Sequence, residues 1–322
     1  MNIESTYNYK KSLKNKIQKF RKSSAIKRVI LDYQLYLLLI PALFYIILFC
    51  YGPMYGVIIA FKDYAANLGI LGSPWVGFKY FEQFFSLPNF WTIIGNTVGL
   101  SVYSLVVGFP LSICLAIMIN ELSGKYFKKT VQMVTYAPYF ISMVVMCGII
   151  TLFLNQDYGL INNIVSIFGG KRIDFLIKPE YFKTVYVVSS AWQSTGWSTI
   201  IYLAALSTID PQLIESSYID GVTRIQKIWY IDIPGIVPTI IILLILNIGH
   251  LLSVGFEKVL LLQNALNMES SDIISTFVYR IGLLGGQYSL STAIGLFNSI
   301  INFILLVSVN KIAAKFSETS LW

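Results

Sequence analysis

The side chains that could bind a solute in this sequence lie inside long apolar stretches, where they form three stripes with helical spacing. Residues three or four apart share one face of a helix, so the members of each stripe point the same way. Polar groups in apolar surroundings cost free energy unless they face protein or water, so the stripes could line a pathway for a polar solute. They could equally hydrogen-bond between helices, which is the commoner use of such residues. The stripes are Gln193 with Trp197, Asn247 with His250, and Ser291 with Asn298 and Asn302.

Residue patterns for catalysis, metal binding and nucleotide binding are missing from the sequence. His250 is the only histidine and has no candidate partner. The three cysteines, Cys50, Cys114 and Cys147, lie apart in apolar stretches and form no CxxC pair. The GGK segment at 169–171 lacks the upstream glycine and the Ser/Thr of a phosphate-binding loop. We therefore expect a chain that is not an enzyme and that holds no metal or cofactor of its own.

The composition indicates a membrane protein. The chain of 322 residues is 56% hydrophobic and 12% charged, whereas soluble domains carry about 45–50% apolar and about 25% charged residues. The net charge of +8 does not indicate nucleic-acid binding, because nine Lys and Arg residues lie between Lys10 and Arg28, directly before the first apolar stretch. A basic segment in that place is typical of a cytoplasmic anchor.

The apolar stretches predict six spans in an all-α membrane protein, since each exceeds the roughly 20 residues that a helix needs to cross the hydrocarbon. An excess of Lys and Arg in alternate loops places both termini in the cytoplasm. We expect a basic N-terminal segment (1–32), a membrane domain (33–310) and a cytoplasmic tail (311–322), with a short interfacial helix at Asp272–Leu284. The predicted spans are Tyr33–Ala60, Trp91–Ile119, Val131–Leu154, Thr184–Leu206, Gly235–Phe256 and Leu290–Asn310.

The loop between the fourth and fifth spans, about 209–233, has clear helix signals. Asp210 is placed as an N-cap, Pro211 as the first helical residue, and Gly221 as a C-terminal cap with positive φ. A second short helix, Thr223–Tyr230, should end before Pro234. The loop is therefore predicted to be a helix–turn–helix at the cytoplasmic face.

This loop resembles the EAA loop of permeases in binding-protein-dependent ABC importers, whose pattern is EAA-xx-DG followed by I-x-L-P-xxx-P. Ser216 and Ser217 stand at the two alanine positions, and Ile233 replaces the leucine. Further resemblance to maltose-type carbohydrate permeases, closest to the subgroup for larger oligosaccharides, is carried by the stretches 55–64, 256–262, 283–288 and 320–322. The matching loop positions are Glu215, Asp220, Gly221, Ile231, Pro234 and Pro238.

The resemblance implies a type I ABC importer permease with six transmembrane helices in the bacterial plasma membrane. Its expected partners are a second homologous permease, two ATPase subunits that bind the ATP and Mg²⁺, an extracellular solute-binding lipoprotein, an oligosaccharide and membrane lipid, with no nucleic acid. The polar stripes would then line the sugar pathway. The residues implied in coupling to the ATPase are Glu215, Ser216, Ser217, Asp220, Gly221, Pro234 and Pro238.

A self-sufficient membrane protein is the alternative class. A secondary transporter usually carries acidic residues within its spans for ion coupling, and no Asp or Glu lies in the middle of a predicted span. A membrane sensor would need a signalling domain, and only short tails flank the spans.

Overall fold

The computed structural model describes residues 33–316 and Ser320. The predicted basic segment 1–32 and most of the predicted tail lie outside the described residues. Within the described part the chain is helical, with no strand and one isolated bridge between Lys62 and Trp75. The helices are α1 Tyr33–Phe61, α2 Gly69–Gly72, α3 Lys79–Phe85, α4 Phe90–Glu121, α5 Lys125–Phe140, α6 Met143–Leu154, α7 Leu160–Ile167, α8 Pro179–Leu206, α9 Pro211–Ile219, α10 Arg224–Gly249, α11 Phe256–Leu262, α12 Met268–Ser271, α13 Ile274–Leu284 and α14 Tyr288–Phe316.

The chain divides into two compact units, residues 1–58 and 59–322. In the first unit, the described residues belong to α1, whose regular helix gives way to a π-turn at Ile46–Tyr51. The second unit contains α2 to α14.

Four described helices, α1, α4, α10 and α14, are long and apolar enough to cross a membrane. The predicted span Val131–Leu154 is wrong as a single helix, because α5 and α6 meet at an angle of 100° at a break between Phe140 and Met143. Pro138 sits in a 3₁₀ turn at the end of α5, and the Ser142 side chain caps the new helix. The predicted fourth span corresponds to α8, which has 28 residues but is more polar than these four helices.

The second unit is built around α8, which packs along α4 and also contacts α5 and α10. Gly196 permits the contact with α5, because a Cβ at this position would lie 2.0 Å from the Thr135 carbonyl oxygen. A buried apolar cluster joins four helices through residues such as Leu100, Met146 and Val259. These contacts fix α8 along most of its length.

Two predicted boundaries are wrong for a common reason, which is that tertiary packing overrides local signals. The fifth span was predicted as Gly235–Phe256, but α10 ends at Gly249 and is followed by turns before α11. The predicted interfacial helix Asp272–Leu284 begins at Ile274, and Ile274 and Phe277 are buried in a cluster with Leu290. One face of this helix is therefore packed against the protein, and its interfacial position stays a prediction.

Candidate functional site

The loop helix α9 is capped at both ends by its own sequence. Asp210 Oδ1 accepts a hydrogen bond from the Gln212 amide at 2.9 Å, and Pro211 is the first helical residue. At the other end Gly221 adopts φ +73°. The Val222 amide donates to the Ser217 carbonyl at 3.1 Å, which together with the Gly221 amide on the Tyr218 carbonyl makes a Schellman cap. The predicted capping of this loop is confirmed.

The second helix of the loop is not separate from the following span. It was predicted to end before Pro234, but α10 runs from Arg224 through Pro234 and Pro238 to Gly249. A π-turn at Ile228–Asp232 precedes Pro234. A π-turn shifts the local hydrogen-bond register, so the missing N–H of proline need not break the helix. The loop therefore consists of α9 followed directly by a span.

The exposed face of the loop differs in one respect from the prediction. Glu215, Ser216 and Asp220 are exposed, as an outward docking role requires. Ser217 was also expected to point outward, but it is buried and its Oγ donates to the Ile214 carbonyl at 2.7 Å. We name the exposed apolar side chains of this region the loop patch; they are Leu213, Tyr218, Ile219, Ile225, Trp229 and Tyr230.

The base of the loop is tied to three spans. Ile209 and Ile233 pack against a buried cluster formed by residues of α4, α8 and α10. Gly235 allows this contact, since a Cβ there would lie 2.8 Å from the Ile209 side chain. A displacement of α9 would therefore be transmitted to α4, α8 and α10.

A buried ion cluster, which sequence reasoning missed, supports the same base. Lys227 is 4% exposed, and its Nζ lies 2.5 Å from Glu121 Oε1 and 3.0 Å from Asp232 Oδ2. Glu121 ends α4, whereas the other two residues belong to α10. The i, i+5 spacing of Lys227 and Asp232 does not suit a regular helix, so the sequence pattern gave no signal of this pair.

A cavity of about 700 Å³, lined by both polar and apolar side chains, lies between α4, α8 and α10, and we name it the polar cavity for its polar residues. It contains three of the predicted pathway residues, Trp197, Asn247 and His250. The Trp197 ring stacks on Tyr139 with centroids 4.6 Å apart. Hydroxyl groups from five serines supply most of the remaining polar lining: Ser101, Ser104, Ser112, Ser194 and Ser198.

The other predicted pathway residues do not line this cavity. Gln193 donates through Nε2 to the Ile141 carbonyl at 3.2 Å, where the chain breaks between α5 and α6. Asn302 accepts from the Leu252 amide at 3.1 Å and thus joins α14 to the turn after α10. Ser291 donates to a carbonyl of its own helix, and Asn298 Oδ1 is buried with no hydrogen-bond partner among the described residues. Gln193 and Asn302 therefore hold helices together, as the alternative interpretation expected.

The serines of the cavity were missed because serine in a helix is usually explained by local bonding. Ser101 donates to the Thr97 carbonyl at 2.6 Å and Ser194 to the Ser190 carbonyl at 2.8 Å. Each hydroxyl oxygen keeps its acceptor capacity for a solute in the cavity. Ser194 and Ser198 line the cavity and continue a spacing of four that begins at Ser190 on α8, and this spacing could have indicated a polar face.

The helical membrane fold, the loop and the polar cavity define a membrane-embedded transport subunit. The chain belongs to the family of binding-protein-dependent transport system inner membrane components, whose family model matches residues 108–318. The predicted fold class, an all-α permease of the type I ABC importer architecture, is confirmed by this match and by solved relatives.

Three relatives cover nearly the whole chain. The polygalacturonan/rhamnogalacturonan transport system permease protein YteP of Bacillus subtilis (strain 168) is 44% identical over 302 residues, 94% of each chain. A crystal structure of a bacterial ABC transporter involved in the import of the acidic polysaccharide alginate matches with a TM-score of 0.83 and 40% identity, covering 90% of this chain and 98% of that one. The bacterial alginate ABC transporter in complex with alginate pentasaccharide-bound periplasmic protein gives a TM-score of 0.84 and 40% identity, covering 92% and 99%.

Proposed function

We propose that this chain forms half of the membrane pathway of an ABC importer that takes up an oligosaccharide delivered by an extracellular binding protein. The observation that carries the proposal is the cavity of about 700 Å³ between α4, α8 and α10. Serine hydroxyls, Asn247 and His250 supply donors and acceptors for sugar hydroxyls, and the Trp197 ring offers a surface for a sugar ring. The family membership and the relatives described above support this function.

The proposed substrate is an oligosaccharide that carries carboxylates. YteP is named for polygalacturonan and rhamnogalacturonan, and the structurally similar importer takes up the acidic polysaccharide alginate. Identities of 44% and 40% over about nine tenths of the chain support a similar class of substrate here.

Energy for transport would enter through α9. In the proposed mechanism, α9 docks on an ATPase subunit through Glu215, Ser216 and the loop patch, with Asp220 and Gly221 forming the turn behind it. ATP and Mg²⁺ would be bound by that subunit, not by this chain. Since Pro234 and Pro238 lie at the start of the span that follows α9, a shift of α9 would pass directly into α10.

The complete importer would contain this chain, a second homologous permease, two ATPase subunits and a solute-binding lipoprotein. Both termini would lie in the cytoplasm of a bacterial cell, on the same side as α9. The multi-pass membrane location is supported by the family and by the apolar helices.

The experiment that tests this function is uptake by the complete complex in proteoliposomes, with ATP inside and binding protein plus labelled trigalacturonate outside. Uptake should require ATP and should persist when ionophores collapse ion gradients. Uptake that follows an ion gradient without ATP would favour the secondary transporter. Absence of uptake, together with a signalling output on ligand binding, would favour the membrane sensor.

A further inference from the structure

Within the part of the chain that the structure describes, Lys258 is a buried cation without a carboxylate partner. Its side chain is 2% exposed, and Nζ donates to Ser190 Oγ at 2.8 Å and lies 5.2 Å from the centre of the Tyr186 ring. The ion pairs found among residues 33–316 do not include Lys258. An ammonium group has three N–H donors, and the Ser190 hydroxyl satisfies one of them. Burying such a charge is costly unless an anion compensates it.

Among the described residues, Lys227 is the other buried lysine, and its charge is compensated. Lys227 Nζ contacts the carboxylates of both Glu121 and Asp232. A purely structural tie between α11 and α8 would need no charge, because a neutral side chain could donate the same hydrogen bond to Ser190. The charge of Lys258 therefore calls for an explanation other than packing.

Lys258 and Ser190 do not line the polar cavity, but Tyr186, which the ammonium group contacts, does. Ser190 lies four residues from Tyr186 and four from Ser194 on α8, and both of these residues line the cavity. On the side of α11, Val254 and Gly255 line it as well, three or four residues before Lys258. A solute group that reaches Ser190 would therefore be within reach of the flexible lysine side chain.

A second cation lies on the same face of α8, nearer the end away from α9. Lys183 is seven residues before Ser190, about two helical turns, and its Nζ lies against Gly99 of α4. The acidic residue closest to Lys258 in the sequence is Glu257, which is exposed. Adjacent helical residues point about 100° apart, so Glu257 does not share the direction of Lys258.

We propose that Lys258 is a carboxylate-binding residue of the cavity, which recognises an acidic sugar unit of the passing oligosaccharide. The carboxylate accepts charge-assisted hydrogen bonds from the two free donors of the ammonium group. Ser194 binds a neighbouring sugar hydroxyl, and Lys183 attracts the anion from the end of α8 away from α9. The inference rests on the proposed function, because it assigns the charge of that same substrate to one residue of the pathway.

The test measures sugar binding to the permease–ATPase complex in nanodiscs, without the binding protein, so that the selectivity of that protein does not enter. The probes are trigalacturonate and its carboxyl-reduced, neutral counterpart. Lys258→Met should raise the Kd for trigalacturonate about tenfold or more, the loss expected for one charge-assisted contact. Lys258→Arg should recover most of the affinity, and the neutral sugar should bind wild type and both variants alike.

Two controls separate binding from structure. Ser190→Ala removes the bond that joins α11 to α8 but keeps the ammonium group, so the Kd for trigalacturonate should stay within about threefold of wild type, well short of the loss expected for Lys258→Met. Lys178→Met removes an exposed cation that lies, like Lys183, near the start of α8. This variant should leave the Kd for trigalacturonate unchanged. The melting temperature of Lys258→Met should equal or exceed that of wild type, because an apolar residue replaces an uncompensated charge.

The inference is overturned if Lys258→Met binds trigalacturonate as wild type does, or if both sugars lose the same affinity. It is also overturned if the wild-type complex prefers the neutral sugar. Each of these results leaves the proposed import function standing, provided that the wild-type complex takes up an oligosaccharide with ATP. Failure of that uptake would instead refute the import function itself.

Discussion

Lys227 and Asp232 face each other across the π-turn of α10, with Nζ 3.0 Å from Oδ2. Asp232 is 1% exposed and Glu121, the other partner of Lys227, is largely buried. The pair therefore stabilises the bulged helix and joins it to the end of α4. Because the π-turn lies between the loop and Pro234, the ion cluster holds the point at which a shift of α9 would enter the span.

Replacing Lys227 should destabilise the chain more than replacing either acid. Lys227→Met leaves two carboxylates without a cation, which costs about 3–5 kcal/mol for a buried pair. Glu121→Gln keeps the pair with Asp232 and should cost less. Thermal unfolding of the purified complex checks this order. The triple variant Lys227→Met, Glu121→Leu, Asp232→Leu removes all three charges and should recover most of the stability; equal melting temperatures for wild type and Lys227→Met would contradict the prediction.

Gly221→Val should lower both transport and the sugar-stimulated ATP hydrolysis that drives it, without preventing insertion. A Cβ at Gly221 meets no atom within 4 Å, so space is not the obstacle. The backbone disfavours valine instead, because a β-branched residue at the Gly221 φ of +73° carries about 1–3 kcal/mol of strain. Uptake and sugar-stimulated ATPase activity of the reconstituted complex should fall together. Gly221→Asn is the matched control, since asparagine tolerates this conformation and should retain coupling.

Glu215→Lys should weaken docking of the ATPase subunit. Glu215 is exposed on α9, between the caps formed by Asp210 and Gly221, so reversing its charge changes the surface but not the helix. We expect a lower yield of ATPase co-purified with the permease and a matching loss of uptake. Glu215→Gln, which removes the charge without reversing it, should show a smaller loss. Normal assembly and full coupling of the lysine variant would refute a docking role for this residue.

The loop and the cavity differ in how much of each could be predicted from sequence. The caps at Asp210 and Gly221 were predictable because a cap is a local contact between a side chain or turn and its own helix. The burial of Ser217 was not, since the side of α9 that faces the protein depends on distant residues. Gln193 was predicted to be a pathway residue, yet its side chain donates to the Ile141 carbonyl. That carbonyl is available because the helix breaks between α5 and α6, and the sequence analysis did not predict this break.

The burial of Lys258 also could not be predicted from the sequence. A lysine in the segment FEKVLLL gives no sign of burial, because lysine is usually exposed. The turns after Gly249 shorten the predicted fifth span and place α11 against α6 and near α8. The position of the cation therefore depends on where α10 ends, and helix ends are the part of a sequence-based prediction that tertiary packing most easily moves.

Labelling from outside should place α9 and the α4–α5 turn on the protected side of the membrane. Cysteine introduced at Ser123, an exposed residue before α5, should resist a membrane-impermeant thiol reagent in intact cells. Cysteine at Asp157, between α6 and α7, should react. The exposed Cys50 and Cys114 must first be replaced by alanine. The reverse labelling pattern would refute the proposed orientation, in which the termini and α9 lie in the cytoplasm.

Trp197→Ala should reduce transport by removing a stacking surface from the cavity. Trp197 is 40% exposed and is held in place by its stack on Tyr139. Losing one sugar contact should lower kcat/KM for trigalacturonate uptake about tenfold, equivalent to about 1.4 kcal/mol, whereas Trp197→Phe should keep most of the activity.

Trp192 on the same helix provides the matched control. It is 48% exposed and lines a separate apolar groove with Ile149 and Phe153, away from the polar cavity. Trp192→Ala therefore also removes an indole side chain, but one outside the proposed pathway. It should leave kcat/KM for trigalacturonate uptake near wild type when the two variants assemble into the complex to the same extent. If the two alanine variants lose transport to the same extent, the effect comes from helix packing, and the polar cavity is not the route of the sugar.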